Sequence, residues 1–263
     1  MSGPLHLLRR LNERRRDLRG RKRLVEAAAL GPLYLDPVTL AGTELAIVGP
    51  AAPVKQELAA RPLSPTVKIW RMNRGCTVSV ADPETFGAST HILFHNLNFD
   101  GPRGTGPLED KLLFEQGVVH ILFPHSAPRK VSDRVLRYRK ERLVGAAPTL
   151  LLPPEDLYIQ LMEDLHGKTP TAGLVALALA LSAPLKTLSI YGFTFFQTAY
   201  TQGYTSAAVD DNSAAEWARA TGLHDPDLEV QWARRAIQRH REAGGFAVTL
   251  GSGVAQALSL SET

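Results

Sequence analysis

The sequence holds a single cysteine, Cys76, among 263 residues. No internal disulfide can form, a cysteine-rich zinc site is excluded, and the usage fits a reducing compartment. The N-terminus has no apolar core of the secretory-signal kind, and no apolar run is long enough to span a bilayer, so the expected location is cytoplasmic. Only one D-x-D triplet, Asp225-Pro226-Asp227, stands in the sequence. Gly49-Pro50-Ala51-Ala52-Pro53 is not G-x-G-x-x-G, and its prolines remove N–H donors that a dinucleotide phosphate would need. That argues against a dinucleotide-dependent oxidoreductase. Internal repeats and low-complexity tracts are missing, and no aromatic interleaving of basic residues supports nucleic-acid binding.

What is present is an ordinary globular balance, 44% hydrophobic and 21% charged, and a length that suits one large α/β domain with a small lid. The net charge of +4 is uneven. Arg9, Arg10, Arg14, Arg15, Arg16, Arg19, Arg21, Lys22 and Arg23 crowd the start, opposed mainly by Glu13 and Asp17. Leu5, Leu8, Leu11 and Leu18 share one weak apolar helical face. Residues 1–43 are therefore expected to form a basic arm and approach segment, interrupted by Pro32 and Pro37. Its chemistry suits an anionic membrane surface or acidic partner as well as a solvated tail.

From residue 44 onward, short apolar runs alternate with helical patterns. Strands are expected at 44–48, 66–72, 91–94, 118–123, 149–152, 185–191 and 246–250. Helices are expected at 54–60, 129–143, 155–166, 174–181 and 227–243. This alternation predicts an α/β fold: a mostly parallel twisted sheet with helices on both faces. Ligands of such sheets lie beyond the carboxyl ends of the strands. Gly49, Asn73 and Asn96 each follow a strand, so they can converge on one crevice. Residues 197–222 are polar and aperiodic and read as a lid. The domain proper is 44–263.

The chain is organised around 168–196. Leu174–Leu181 is apolar on every face and must be buried. Before it, Pro170-Thr171-Ala172-Gly173 puts a hydroxyl and a glycine at a helix start, where free N–H groups and the helix dipole favour an anion. After it, a strand ends at Ile190-Tyr191-Gly192-Phe193.

Four blocks in order resemble the sialyltransferase family. Leu45-Ala46-Ile47-Val48-Gly49 with Arg71-Met72-Asn73 resembles the large sialylmotif. Pro170-Thr171-Ala172-Gly173 with Tyr191-Gly192-Phe193 resembles the small one. Tyr200–Tyr204 loosely matches the aromatic third motif. His224-Asp225-Pro226-Asp227-Leu228-Glu229 is an H-x4-E like the very small motif. The resemblance spans residues 44–250 and is similar to the compact bacterial members, with His95-Asn96 after the third strand.

The resemblance implies a Rossmann-like, GT-A-like nucleotide-binding domain with a flexible lid. It also implies an inverting transferase that moves sialic acid, or a related acid sugar, from a CMP-activated donor to a glycan or glycolipid hydroxyl, with no metal or other cofactor. The implied donor-binding residues are Gly49, Asn73, Asn96, Thr171, Gly173 and Phe193. His224 is the implied general base, since an imidazole with pKa near ~6.5 can accept a proton at neutral pH. Asp225 and Glu229 would orient it or cap the next helix. Tyr200 and Tyr204 would stabilise the departing phosphate. His91, His95, His120, His125 and His166 are secondary candidates. The family's G-N-S or G-N-G is Gly49-Pro50-Ala51 here, so CMP-Kdo stays open beside CMP-sialic acid. A non-catalytic CMP-, nucleotide- or glycan-binding protein of the same fold is the competing reading, as is a structural role for each residue taken singly.

Overall fold

A computed structural model describes residues 4–100, 104–142, 148–204, 210–220 and 222–263, with side chains from residue 11 onward except residue 215. Seven strands form one sheet: β1 (Glu44–Val48), β2 (Lys68–Met72), β3 (Ile92–Phe94), β4 (His120–Leu122), β5 (Thr149–Leu151), β6 (Thr187–Tyr191) and β7 (Ala247–Leu250). Their order is β5-β4-β3-β2-β1-β6-β7 and every pairing is parallel. The direction of winding therefore reverses at β1, with β2 on one side and β6 on the other. A parallel sheet covered on both faces needs near-continuous apolar strands, and β1 is buried from Leu45 to Val48.

The helices are α1 (Pro4–Ala28), α2 (Val54–Ala60), α3 (Gly75–Ala81), α4 (Pro83–Phe86), α5 (Asp110–Glu115), α6 (Asp133–Glu141), α7 (Glu155–Asp164), α8 (Ala172–Ser182), α9 (Asp211–Arg219), α10 (Pro226–Glu242) and α11 (Ser252–Leu258). The apolar helix α8 lies at the centre of the larger core with Trp70, Phe94 and Leu188, as its uniform hydrophobicity requires. The basic helix expected over 129–143 is instead a 3-10 turn, Pro128–Lys130, followed by α6, because Ser132 breaks the run and starts a new helix. Leu143 lies outside the described residues.

Within residues 1–43 the chain is docked on the domain from Gly20 onward. Leu24, Ala27 and Leu33 belong to the second core cluster with Leu93, Ile121 and Tyr138. Helix α1 crosses the Pro128 turn at Gly20, where a Cβ would meet the Pro128 carbonyl. Arg23 pairs with Asp133 and donates to the Val131 carbonyl at 3.2 Å. The docked face is Gly20, Leu24 and Ala27, not the expected leucine stripe: Leu11 and Leu18 are exposed, and Leu5 and Leu8 lie outside the described side chains. Arg14, Arg15, Arg16 and Arg19 remain on the solvent side. No described helix is long and apolar enough to cross a membrane.

Candidate active site

The carboxyl ends of β1, β2, β3, β4 and β6 open into one cavity of about 860 Å³, counting the solvent at its mouth. It lies at the point where the winding of the sheet reverses, the place where ligands of α/β sheets bind. Asn73, Asn96, Thr171, Gly173, Phe193, Tyr200, Tyr204 and His224 all line it. Residues as far apart as Asn73 and His224 are thereby brought to one wall, because most of them sit just past a strand or at a helix start.

Gly49, the remaining candidate, lies behind this wall. A Cβ there would fall 2.3 Å from the Gly192 carbonyl and 2.6 Å from the Phe193 ring, and one on Gly173 would fall 2.2 Å from the opposite edge of the same ring. The two glycines clasp Phe193 and set it in the cavity wall; Gly49 acts through that ring and not by contact with a ligand.

The turn after β1 is closed to phosphate. Ala51 N–H donates to Gly192 O at 3.0 Å and Ala52 N–H to Ala199 O at 2.9 Å. These bonds, with Thr201 N–H on Pro50 O, tie the stretch carrying Tyr200 to the end of β1. The carboxylate of Glu57, buried under the turn, accepts from Gly192, Gly253 and Val254 N–H at 2.7, 2.8 and 3.2 Å.

The start of α8 is also occupied. Thr171 caps the helix, its Oγ1 accepting from Leu174 N–H at 3.2 Å, while its own N–H and hydroxyl bond Glu229 at 2.9 and 2.6 Å. The Thr171 hydroxyl, expected to meet the donor, is instead taken up by the chain's own Glu229 carboxyl group. What remains at this helix start are Ala172 and Gly173, which line the cavity and whose N–H groups have no intrahelical acceptor. Burial pushes the Glu229 carboxyl up to about 8, and the nearby Asp225 adds to the rise, against the lowering effect of Thr171.

Both motif neighbours of His224 make helix contacts of their own. Asp225 caps α10 through Leu228 N–H, and Glu229 turns to Thr171. The imidazole is held by Thr169, whose carbonyl lies 2.6 Å from Nδ1. A carbonyl can only accept, so in the neutral ring Nδ1 carries the proton and Nε2 the lone pair. The loop is braced by Thr169 N–H to Leu223 O at 2.9 Å and Lys168 Nζ to Gly222 O at 3.1 Å.

Asn73 and Asn96 each keep a buried side-chain oxygen without a hydrogen-bond partner among the described residues, at positions where both line the cavity. An orphaned buried acceptor is costly, and a ligand donor would relieve it. Asn73 has a positive φ of 48°, which asparagine tolerates best among residues with a Cβ. Tyr204 donates to Met72 O at 3.3 Å, and its ring lies 5.1 Å from that of Tyr200. Burial raises both phenol pKa values, so each hydroxyl keeps its proton. Phe196 and Trp217 complete this aromatic wall at 6.1 and 6.2 Å from Tyr200. Of the expected lid, residues 205–209 and 221 lie outside the described residues.

Among the other described histidines only His125 reaches the cavity. His95 is buried, accepts from Leu97 N–H at 3.1 Å and stacks on Phe99, while His91 and His120 border strands on the far side of the sheet ends. Trp217 is a further lining residue that the sequence does not single out, since it belongs to a helix read as loop. Among the described residues no three His, Cys, Asp or Glu side chains come together as a metal site.

No known family profile matches the chain, and no curated protein matches it. Solved structures do. A mammalian sialyltransferase in complex with Gal-beta-1-3GalNAc-ortho-nitrophenol aligns over 91% of this chain and 86% of its own, with a TM-score of 0.53 and 14% identity. The monofunctional alpha-2,3-sialyltransferase Cst-I from Campylobacter jejuni aligns over 83% and 80%, with a TM-score of 0.53 and 13% identity. The sialyltransferase CstII from Campylobacter jejuni, in complex with the substrate analogue CMP-3FNeuAc, aligns over 83% and 86%, with a TM-score of 0.51 and 13% identity. The chain therefore has the fold of the sialyltransferases.

Proposed function

We propose that this chain is a glycosyltransferase that moves sialic acid, or a related acid sugar such as Kdo, from a CMP-activated donor to a hydroxyl of a glycan or glycolipid. The observation that carries the reading is His224. A carbonyl-fixed tautomer leaves Nε2 as the proton acceptor in a cavity lined by two orphaned amide oxygens and an aromatic wall. Asn73 and Asn96 would receive N–H or O–H donors of the nucleotide or sugar. As CMP leaves, the anomeric carbon gains oxocarbenium character, and His224 takes the proton of the hydroxyl attacking from the opposite face, with inversion. Tyr200, kept protonated by burial, would donate to the departing phosphate, the part a metal plays elsewhere, and Tyr204 would join it by turning its hydroxyl from Met72 O. The segment around 197–222 would close over the bound donor. The exposed arginines of α1 would hold the protein at an anionic inner membrane face.

The test is a screen of CMP-, UDP- and GDP-sugars, scored by nucleotide release with and without a glycan mixture, in chelator and in manganese. Release from a CMP-sugar that is stimulated by glycan and indifferent to chelator supports the reading. Release from UDP- or GDP-sugars alone, or strict dependence on manganese, overturns it. A non-catalytic binder of the same fold would bind CMP and release nothing.

A further inference from the structure

His125 lines the same cavity as His224 yet is held in the opposite sense. It follows β4, and its Nδ1 lies 2.9 Å from the hydroxyl of Tyr158, a residue of α7 with no solvent exposure. Either atom can be the donor, and bookkeeping of protons decides between them. Nδ1 is the partner found for the Tyr158 hydroxyl among the described residues. If Nδ1 carried the proton, the Tyr158 hydroxyl hydrogen would be buried without an acceptor, which is costly. Tyr158 therefore donates, Nδ1 accepts, and the ring proton sits on Nε2. Phe123 and Tyr158 pack edge-on against the ring at 5.3 and 5.8 Å and fix its plane.

The geometry points to His125 as a fixed, neutral N–H donor to a substrate oxygen, its tautomer set by Tyr158, working opposite the proton-accepting His224. One ring takes the proton of the attacking hydroxyl; the other grips a neighbouring oxygen of the same acceptor, so the acceptor is recognised as a pair of adjacent oxygens. No covalent step is involved, and His125 is a positioning residue. Its neutrality is built in. Burial, and then the like charges of His224 and Lys130, pull its pKa down to about 3. Arg129 acts on the Tyr158 hydroxyl beyond it. The imidazole thus stays an N–H donor across the working pH range.

This inference rests on the transferase reading for the identity of the oxygen, and the test separates the two. Nitrogen-15 NMR of the uniformly labelled full chain should show His125 as the Nε2–H tautomer, unchanged from pH 8 to 5, with His224 as the Nδ1–H tautomer. Tyr158→Phe should convert His125 to a mixture. In kinetics, His125→Ala should raise the acceptor KM about 3- to 10-fold, the worth of one neutral hydrogen bond, with a smaller change in CMP affinity. His125→Gln, which keeps an N–H donor, should recover most of that loss. An Nδ1–H tautomer, a titration near pH 6.5, or an unchanged acceptor KM in His125→Ala would overturn the inference even if CMP-sugar turnover is found. Absence of any CMP-sugar turnover in the native protein overturns the transferase reading instead, and the tautomer result then decides whether His125 is the fixed donor.

Discussion

Thr171 and Glu229, 58 residues apart, share two hydrogen bonds, from the threonine N–H at 2.9 Å and its hydroxyl at 2.6 Å. The contact joins the start of α8 to α10, and so fixes the two segments that carry Gly173 and His224 into one wall. It also explains why an H-x4-E spacing matters: from His224 the chain enters α10, and the glutamate one turn in points back across to α8.

The pair should be readable in stability against pH. The native carboxyl of Glu229, at about 8, lies above its ordinary value of 4.5. Between those values the native state holds a proton that the unfolded state has released, so stability is fully present below about pH 4.5 and falls as pH rises toward 8. Glu57, also raised by burial, acts with the same sign. Urea titrations from pH 4.5 to 8 should show a shallower decline in Glu229→Gln than in the native chain. An identical slope would mean that Glu229 is not held protonated by its surroundings.

Gly173→Ala should displace Phe193 into the cavity, since the new methyl would lie 2.2 Å from the ring. The expected result is a loss of CMP binding of tenfold or more with the fold intact, measured by calorimetry and circular dichroism. Gly49→Ala meets backbone as well as ring, and should lower the melting temperature by more than Gly173→Ala does.

Much of this was legible in the sequence because parallel strands buried on both faces read as plain apolar runs. Glu44–Val48 and Thr187–Tyr191 are examples, each followed by the glycine that turns the chain out of the sheet. Gly75–Ala81 and Ser252–Leu258 were not legible as helices, since each is one or two turns of small or β-branched residues stabilised by packing rather than by propensity. The site residues could be found by motif, but their partners could not. Thr169 carbonyl on His224 and Tyr158 on His125 are tertiary contacts that leave no local pattern, and the glutamate under Thr171 turns an apparent ligand group into a structural one.

Tyr200→Phe and Tyr204→Phe should each lower kcat by about 10-fold or more if the hydroxyls meet the leaving phosphate, with the acidic limb of the pH–rate profile unmoved. A change confined to the acceptor KM would place them on the wrong side of the reaction.

Replacing Arg14, Arg15, Arg16 and Arg19 together by Gln removes four exposed charges without touching the docked face of α1. At about 1 kcal/mol per basic residue, binding to phosphatidylserine vesicles should weaken by roughly 10²–10³-fold at low salt, with the melting temperature unchanged. Equal vesicle binding would remove the membrane role of this helix.

The central claim is that His224 is the base of a CMP-sugar transferase, and its most direct measurement is the pH–rate profile of the native protein beside His224→Ala with the same donor and acceptor. The account predicts an acidic limb in the native profile, as protonation of Nε2 removes the proton acceptor. His224→Ala should lose about 10²–10⁴-fold in kcat, with no such limb and with CMP affinity nearly unchanged. A His224→Ala protein with near-native kcat and the same acidic limb would contradict it.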